Sequence, residues 1–69
     1  MKLGFIGTGY IAKSVIMGIL GSKLKINKIF ISKRNKKISN FLSKKSRKIV
    51  IINNNQEIIN RSNWVFLSV

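Results

Sequence analysis

The sequence predicts an α/β fold built on a parallel sheet, because short apolar stretches alternate with stretches of helical periodicity along all 69 residues. Parallel strands need helical crossovers, and four strands connected in this way give the spatial order 3-2-1-4. That order is the first half of a dinucleotide-binding fold. We therefore expect one small domain over residues 1–69: a partial Rossmann fold of about four strands with crossover helices.

The first element is a strand over Lys2–Ile6, and a glycine-rich turn follows it. Gly7 allows a sharp turn, Gly9 holds no side chain against a phosphate, and small Ala12 lets the next helix pack close to the strand. This G-x-G-x-x-A spacing between a strand and a helix predicts a pyrophosphate site at the helix N-terminus. A glycine turn without a ligand is the alternative.

A helix is expected from residue 10 to about residue 22. Its predicted buried face has the spacing i, i+4, i+7, i+8 and consists of Ile11, Val15, Gly18 and Ile19. Gly18 either allows close approach to the sheet or is a tolerated helix glycine that costs about 1 kcal/mol relative to alanine. Gly21 and Ser22 are expected to end the helix.

The second strand is expected over Lys28–Ser32, after a connection in which Leu24 and Ile26 lie under the sheet. Asn35 is then placed to cap a helix over Lys36–Lys45. The apolar positions of this helix are at i, i+3 and i+4 and form its predicted core contacts: Ile38, Phe41 and Leu42.

A third strand is expected over residues 48–52 and a fourth over residues 64–69. Between them, Asn55 is placed to cap a short helix over residues 56–61. Glu57 lies in the first turn of that helix, where a negative charge is favourable. This structural role accounts for Glu57, so no catalysis is assigned to it.

The charge is strongly basic, with 14 Lys and Arg against one acid and a net charge of +13. It indicates either a binder of nucleic acid or anionic surfaces, or a Lys-, Asn- and Ile-rich composition from A/T-rich codons. Eight of the 14 cations lie between Lys33 and Lys48. Phe41 is the only aromatic residue within this cluster and is assigned to the core, so base stacking is unsupported and only nonspecific attraction is expected.

The chain contains neither Cys nor His, which excludes disulfides and the usual zinc sites, and no metal is expected. No stretch approaches the roughly 18 apolar residues that span a bilayer. We therefore expect a cytoplasmic protein with no membrane partner.

The end of the second strand predicts which dinucleotide binds. NAD-binding folds place an acid there for the ribose hydroxyls, whereas this chain has Ser32, Lys33 and Arg34. Arg34 could hold a 2′-phosphate in a planar fork, and Lys33 offers a point charge. NADP is therefore expected in preference to NAD. The alternative is that Lys33 and Arg34 belong to the general basic bias.

The sequence Gly4-Phe5-Ile6-Gly7-Thr8-Gly9 resembles the start of pyrroline-5-carboxylate reductase. The resemblance continues through residues 29–34, the turn Asn55-Gln56-Glu57 and residues 62–69, so that it covers essentially the whole chain. It implies an oxidoreductase acting on CH–NH groups, which reduces 1-pyrroline-5-carboxylate to L-proline with hydride from NADPH. This is the last step of proline biosynthesis.

The resemblance also implies residue roles. Residues implied to contact the pyrophosphate are Gly7, Thr8, Gly9, Tyr10, Ile11 and Ala12. Those implied around the 2′-phosphate are Ser32, Lys33 and Arg34; Asn55 would contact the adenosine side, and Ser68 and Val69 the nicotinamide-side ribose. Tyr10 replaces the family's usual Asn or Gln, and Asn63 replaces a common Asp.

In this family, a helical domain beyond the dinucleotide-binding part binds the small-molecule substrate and builds a homo-oligomer. The 69 residues do not include it. Hydride transfer requires the substrate to be held near the nicotinamide, so the chain alone is expected to be inactive. It is also expected to be weakly folded, because its fourth strand would be an unpaired apolar edge.

Three other interpretations remain. Deazaflavin-dependent NADP reductases and imine or hydroxyacid reductases linked to NADP begin with similar strands and glycine turns. A small basic nucleic-acid-binding protein is a candidate from another class. A truncated reading frame without function is the third.

Overall fold

The computed structural model describes residues 1–7, 9–33 and 36–67. Within them, the elements in chain order are β1 (Lys2–Ile6), α1 (Tyr10–Leu20), β2 (Lys28–Ser32), α2 (Lys36–Lys45), β3 (Ile49–Ile52), α3 (Asn55–Arg61) and β4 (Trp64–Leu67). The strands form one parallel sheet of order β3-β2-β1-β4. The predicted α/β class and the strand order 3-2-1-4 are confirmed.

Alternating side chains give the sheet two apolar faces. On one face, Phe5 and Ile31 join a core with Ile16 of α1 and Leu42 of α2. On the other face, a smaller core contains Phe30, Ile52 and Ile58, the last from α3. Helices α1 and α2 therefore cover one side of the sheet, and α3 covers the other.

Gly4 has a packing role that the sequence did not reveal. It is buried in β1, where a Cβ would overlap Ser62 Oγ and lie 2.6 Å from Ile58 Cγ2. Ser62 follows α3 directly and its hydroxyl donates a hydrogen bond to the Ile58 carbonyl oxygen at 2.6 Å. The missing side chain at Gly4 thus lets the end of α3 pack directly on β1.

The predicted buried face of α1 is wrong by one residue. Ile11 is 76% exposed and Val15 is also exposed, whereas Ala12 and Ile16 are buried. Partly buried positions on the same face are Ile19 and Leu20. Residues 12, 16, 19 and 20 have the same i, i+4, i+7, i+8 spacing as the predicted set, so periodicity alone could not choose between them.

The space around Gly18 decides between its two interpretations. A Cβ at Gly18 would meet no neighbouring atom within 4 Å, so close approach to the sheet is wrong and Gly18 is a tolerated helix glycine.

Helix α1 ends where expected. Gly21 is the C-cap, with its N–H donating to the Met17 carbonyl at 3.1 Å, and Ser22 Oγ donates to the Ile19 carbonyl at 2.7 Å.

Other differences are local. Leu24 is exposed although Ile26 is buried, and Phe41 is 37% exposed instead of in the core. The third strand begins at Ile49. Asn54 rather than Asn55 caps α3, and the predicted cap Asn35 lies outside the described residues.

The β4 strand forms one edge of the sheet and pairs only with β1 along its described length. All four of its residues are exposed. Phe66 stacks on Phe5, with ring centroids 4.8 Å apart and planes inclined by 10°. The expected apolar edge is therefore present, and weak folding of the isolated chain remains a prediction.

Candidate cofactor site

A cleft of about 400 Å³ lies beyond the carboxyl ends of β1, β2 and β3. Its lining residues are Ile6, Gly7, Ser32, Lys33, Lys36, Asn53 and Asn55. Ligands of open parallel α/β sheets bind beyond the carboxyl ends of the strands. The cleft volume also falls within the range of small-molecule sites. Position and size therefore make this cleft the candidate functional site.

The turn after β1 is fixed by Gly7 and Ser32. Gly7 has φ 82°, the left-handed region that a glycine adopts without steric cost. Its N–H donates a hydrogen bond to Ser32 Oγ at 3.0 Å, across from β1 to the end of β2. Ser32 is buried, and its carbonyl oxygen accepts a hydrogen bond from Ser39 Oγ at 2.9 Å. Ser32 thus holds the glycine turn in place, a role that sequence reasoning missed.

Helix α1 begins at this turn with a glycine as its N-cap. The Gly9 N–H donates to the Gly7 carbonyl at 3.1 Å, and the Gly9 carbonyl accepts from the Lys13 N–H at 3.0 Å. Gly9 makes no side-chain cap, and the first turn contains no acidic residue. Because the first N–H groups of a helix have no partners within it, this end of α1 is suited to an anion.

The three residues expected beside the pyrophosphate at the start of α1 differ in exposure. Tyr10 and Ile11 are exposed, whereas Ala12 is only 2% exposed and packs in the core against the sheet. The Ala12 side chain therefore provides the close helix–strand contact that the sequence predicted. Its backbone, rather than its methyl group, is the part able to face a phosphate.

The third wall of the cleft comes from the turn before α3. Asn55, which the sequence placed on the adenosine side, lines the cleft together with Asn53, which the sequence missed. Asn54 points its Oδ1 back to the helix and accepts hydrogen bonds from the N–H groups of Gln56 at 2.8 Å and Glu57 at 3.3 Å. The run of three asparagines thus divides between lining the cleft and capping α3.

Two cations line the cleft, Lys33 after β2 and Lys36 at the start of α2. Lys36 was not among the expected site residues, but a helix starting at the carboxyl edge of the sheet carries its first residue beside the cleft. Glu57 is not among the lining residues and forms an exposed ion pair with Arg61 at 3.7 Å. The described lining is therefore cationic.

Four of the expected site residues lie outside the described residues: Thr8, Arg34, Ser68 and Val69. The structure brings the others to one edge of the sheet, where Gly7, Ser32, Lys33 and Asn55 share the cleft. Across residues 1–7, 9–33 and 36–67, no helix has the length and apolar character needed to cross a membrane.

Comparison with known proteins gives one family. The family model described as "NADP oxidoreductase coenzyme F420-dependent" matches residues 2–69. No curated protein and no solved structure matched the chain. The matched range covers every element of the fold, from β1 through β4.

Proposed function

We propose, from the premise that this chain belongs to the family of coenzyme F420-dependent NADP oxidoreductases, that it binds NADP in the cleft as part of a pyrroline-5-carboxylate reductase. Such an enzyme reduces 1-pyrroline-5-carboxylate to L-proline. Membership of this family supports the assignment of the chain as an NAD(P)-binding oxidoreductase domain. The family also includes the amino-terminal domains of pyrroline-5-carboxylate reductases. The single observation that carries the choice of NADP is the cationic cleft.

The preference for NADP rests on charge at the end of β2. A carboxylate there would accept hydrogen bonds from the ribose hydroxyls of NAD and would repel a 2′-phosphate. The described cleft instead presents Lys33 and Lys36, whose ammonium groups attract a phosphate. Arg34 stands between them in the sequence, and we propose that its planar guanidinium is a further partner for the phosphate.

The pyrophosphate of the cofactor fits the glycine turn. The left-handed Gly7 redirects the backbone, and Gly9 leaves the N-terminus of α1 without a side-chain cap. The backbone N–H groups and the helix dipole then favour a negative charge at this point. The backbone N–H groups of the first turn of α1 would hold the pyrophosphate there, and Gly9 would leave room for it because it has no side chain.

The substrate is proposed from the resemblance to pyrroline-5-carboxylate reductases. Bound NADPH would supply hydride to the imine carbon of the ring, and the imine nitrogen takes a proton to become the secondary amine of proline. The same resemblance assigns the substrate to a helical domain of the whole protein, and the proposal adopts that assignment. We also propose that this domain forms a homo-oligomer and that the protein acts in the cytoplasm.

A second candidate is favoured by the family description itself. Coenzyme F420 is a deazaflavin, and a reductase of that type transfers hydride between NADP and the deazaflavin. Both candidates use the same NADP cleft and differ in the partner substrate. A substrate panel therefore separates them, whereas cofactor binding tests what they share.

The proposal is tested first by calorimetric titration of the chain with NADPH and NADH. We expect NADPH to bind at least about tenfold more tightly, because one charge-assisted phosphate contact contributes about 1.5–3 kcal/mol. Equal affinities would refute the role of the cleft lysines. In the whole protein, NADPH oxidation with pyrroline-5-carboxylate but not with oxidised deazaflavin would support the first candidate, and the reverse would support the second.

A further inference from the structure

We infer that the outer face of α2 is a binding surface for single-stranded nucleic acid, separate from the cofactor cleft. The surface, called here the α2 patch, consists of Lys37, Asn40, Phe41, Lys44 and Lys45, with Lys13 of α1 beside it. The α2 members are spaced i, i+3, i+4, i+7 and i+8, so they form one continuous stripe along the helix. All five are exposed.

Phe41 is at the centre of this stripe. Its side chain lines a shallow depression together with the lysines, at the border of the helix face that carries the buried residues Ile38 and Leu42, and is 37% exposed. Lys13 Nζ lies 4.3 Å from the ring centroid, and Lys45 Nζ lies 4.9 Å from it. An exposed aromatic ring bracketed by ammonium groups is the combination that single-strand binding proteins use for bases and phosphates.

Charge on this side of the molecule is uniformly positive among the residues described. The only acid in the sequence, Glu57, belongs to α3, which packs on the opposite face of the sheet. Its carboxylate forms an ion pair with Arg61 of the same helix. The patch lysines therefore have no carboxylate competing with a phosphate. An anionic polymer would be attracted to this face, and the attraction would weaken as salt increases.

A base can replace the lysines on the Phe41 ring. A cation over an exposed ring contributes less binding free energy than a base stacked on it. Replacement of the ammonium groups by a base is therefore favourable. The displaced ammonium groups of Lys13 and Lys45 remain within reach of the phosphates on either side of that base. The cation–π contacts thus hold the ring and the charges in a binding arrangement before the strand arrives.

The partner is a single strand rather than a duplex or a membrane. In a duplex the bases are already stacked on one another, so the Phe41 ring would gain no contact. A membrane surface would attract the lysines, but one half-exposed phenylalanine offers little apolar area for insertion compared with an amphipathic helix face. Single-stranded RNA or DNA uses both the ring and the charges.

The α2 patch and the cofactor cleft share no residue. Lys36 lines the cleft and Lys37 belongs to the patch, because consecutive residues of a helix point about 100° apart. The inference is therefore independent of the proposed cofactor. Occupation of the cleft leaves the patch exposed, and the two activities can be measured separately.

Fluorescence anisotropy with a labelled 15-nucleotide deoxythymidine strand, a 15-base-pair duplex and phosphatidylserine vesicles tests the inference. Phe41→Leu keeps an apolar side chain and removes the ring. We expect it to weaken single-strand binding by about 5- to 100-fold and to leave duplex and vesicle binding within about twofold. Circular dichroism checks that the variant is folded like the parent.

Salt dependence tests the lysines. Lys44→Gln should reduce the slope of log affinity against log salt by about 0.7, the contribution of one phosphate contact with a single strand. Lys23→Gln makes the same charge change at an exposed residue outside the patch and should leave the slope unchanged. The inference is overturned if Phe41→Leu binds the single strand as tightly as the parent does. It is also overturned if that variant loses only vesicle binding, which would identify a membrane surface.

Discussion

Helices α1 and α3 begin at the same edge of the sheet, yet their N-termini are built in opposite ways. Asn54 caps α3 by accepting two backbone hydrogen bonds, and Glu57 adds a negative charge in the first turn. Gly9 caps α1 with no side chain, and no acid lies in its first turn. One helix end is neutralised by its own sequence, and the other is left for an external anion.

The difference indicates that α1 lacks local helix stabilisation at the point where the cofactor is proposed to bind. A capping side chain contributes about 1 kcal/mol compared with alanine but only roughly a few tenths of a kcal/mol compared with glycine, and an acid in the first turn adds about 0.3–1 kcal/mol. The chain uses both at α3, a helix of 7 residues that is too short to be stable in isolation. It forgoes both at α1, where a carboxylate or a capping side chain would occupy the place of the cofactor's pyrophosphate. The following variants exchange or remove these features.

Gly9→Asp should have the largest effect, because it gives α1 the kind of N-terminus that α3 has. The Gly9 backbone, at φ −111° and ψ −174°, accepts any residue, so the aspartate can cap the helix. We expect NADPH binding to weaken at least about 100-fold through repulsion of the pyrophosphate, while the free energy of unfolding rises by about 0.5–1 kcal/mol. Calorimetry and urea denaturation measure the two effects.

Gly9→Ser is the matched control, since serine caps a helix without adding charge. It should weaken NADPH binding less than Gly9→Asp does. Unchanged NADPH affinity in the aspartate variant, together with increased stability, would show that the pyrophosphate does not bind at α1.

The double variant Lys33→Gln/Lys36→Gln tests the cationic side of the cleft. Loss of two ammonium groups should weaken NADPH binding by about 10- to 100-fold and change NADH binding by less than about threefold, because only NADPH carries the 2′-phosphate. The ratio of the two dissociation constants is the readout.

Lys23→Gln/Lys25→Gln serves as the control for the double variant. It removes the same charge from two exposed positions in the connection between α1 and β2. An equal loss of NADPH affinity in both double variants would indicate a general effect of net charge rather than a 2′-phosphate site.

Ser32→Ala removes the acceptor of the Gly7 N–H in a buried position. An unsatisfied buried donor costs about 1–3 kcal/mol, so urea denaturation should show a decrease of that size in unfolding free energy. Ser43→Ala is the comparison, because the Ser43 hydroxyl donates to the Asn40 carbonyl within α2 and takes no part in the turn. A decrease in Ser32→Ala no larger than in Ser43→Ala would argue against a structural role for the Gly7–Ser32 contact.

Asn54→Ala should have the smallest effect and one confined to stability. Loss of the α3 cap should lower the free energy of unfolding by about 1 kcal/mol, and NADPH affinity should stay within about twofold. Asn54→Asp, which preserves the capping oxygen, should retain stability. Reduced NADPH affinity in Asn54→Ala, at temperatures where it is folded, would extend the cofactor site to this residue.

Much of the fold could be predicted because apolar stretches and helical periodicity alternate regularly. The glycine spacing between β1 and α1 also fits few structures other than a strand–turn–helix unit. The buried face of α1 could not be predicted, since residues 11, 15, 18 and 19 and residues 12, 16, 19 and 20 have identical spacing. The contact of Ala12 with the sheet decides between them. Periodicity likewise assigned Phe41 to the core, whereas its ring is 37% exposed and lies under the ammonium groups of Lys13 and Lys45.

The candidate site was predicted where a residue type determines its own geometry, as at Gly7. It was missed where geometry depends on neighbouring elements. Asn53, Asn54 and Asn55 are identical in type, and only the start of α3 determines which one caps the helix and which two line the cleft. Lys36 belongs to the cleft because α2 begins at the edge of the sheet.

The most direct test of the account is a set of nitrogen–proton correlation spectra recorded with NADP⁺ and with NAD⁺. We predict that both cofactors shift the backbone amides of Tyr10 and Ile11, which have no partner within α1, and that only NADP⁺ adds shifts at Lys33 and Lys36. The amides of Gln56 and Glu57, already hydrogen-bonded to Asn54, should move least. Identical shifts with both cofactors, or the largest shifts at Gln56 and Glu57, would contradict the assignment of the open N-terminus of α1 and its lysines to NADP.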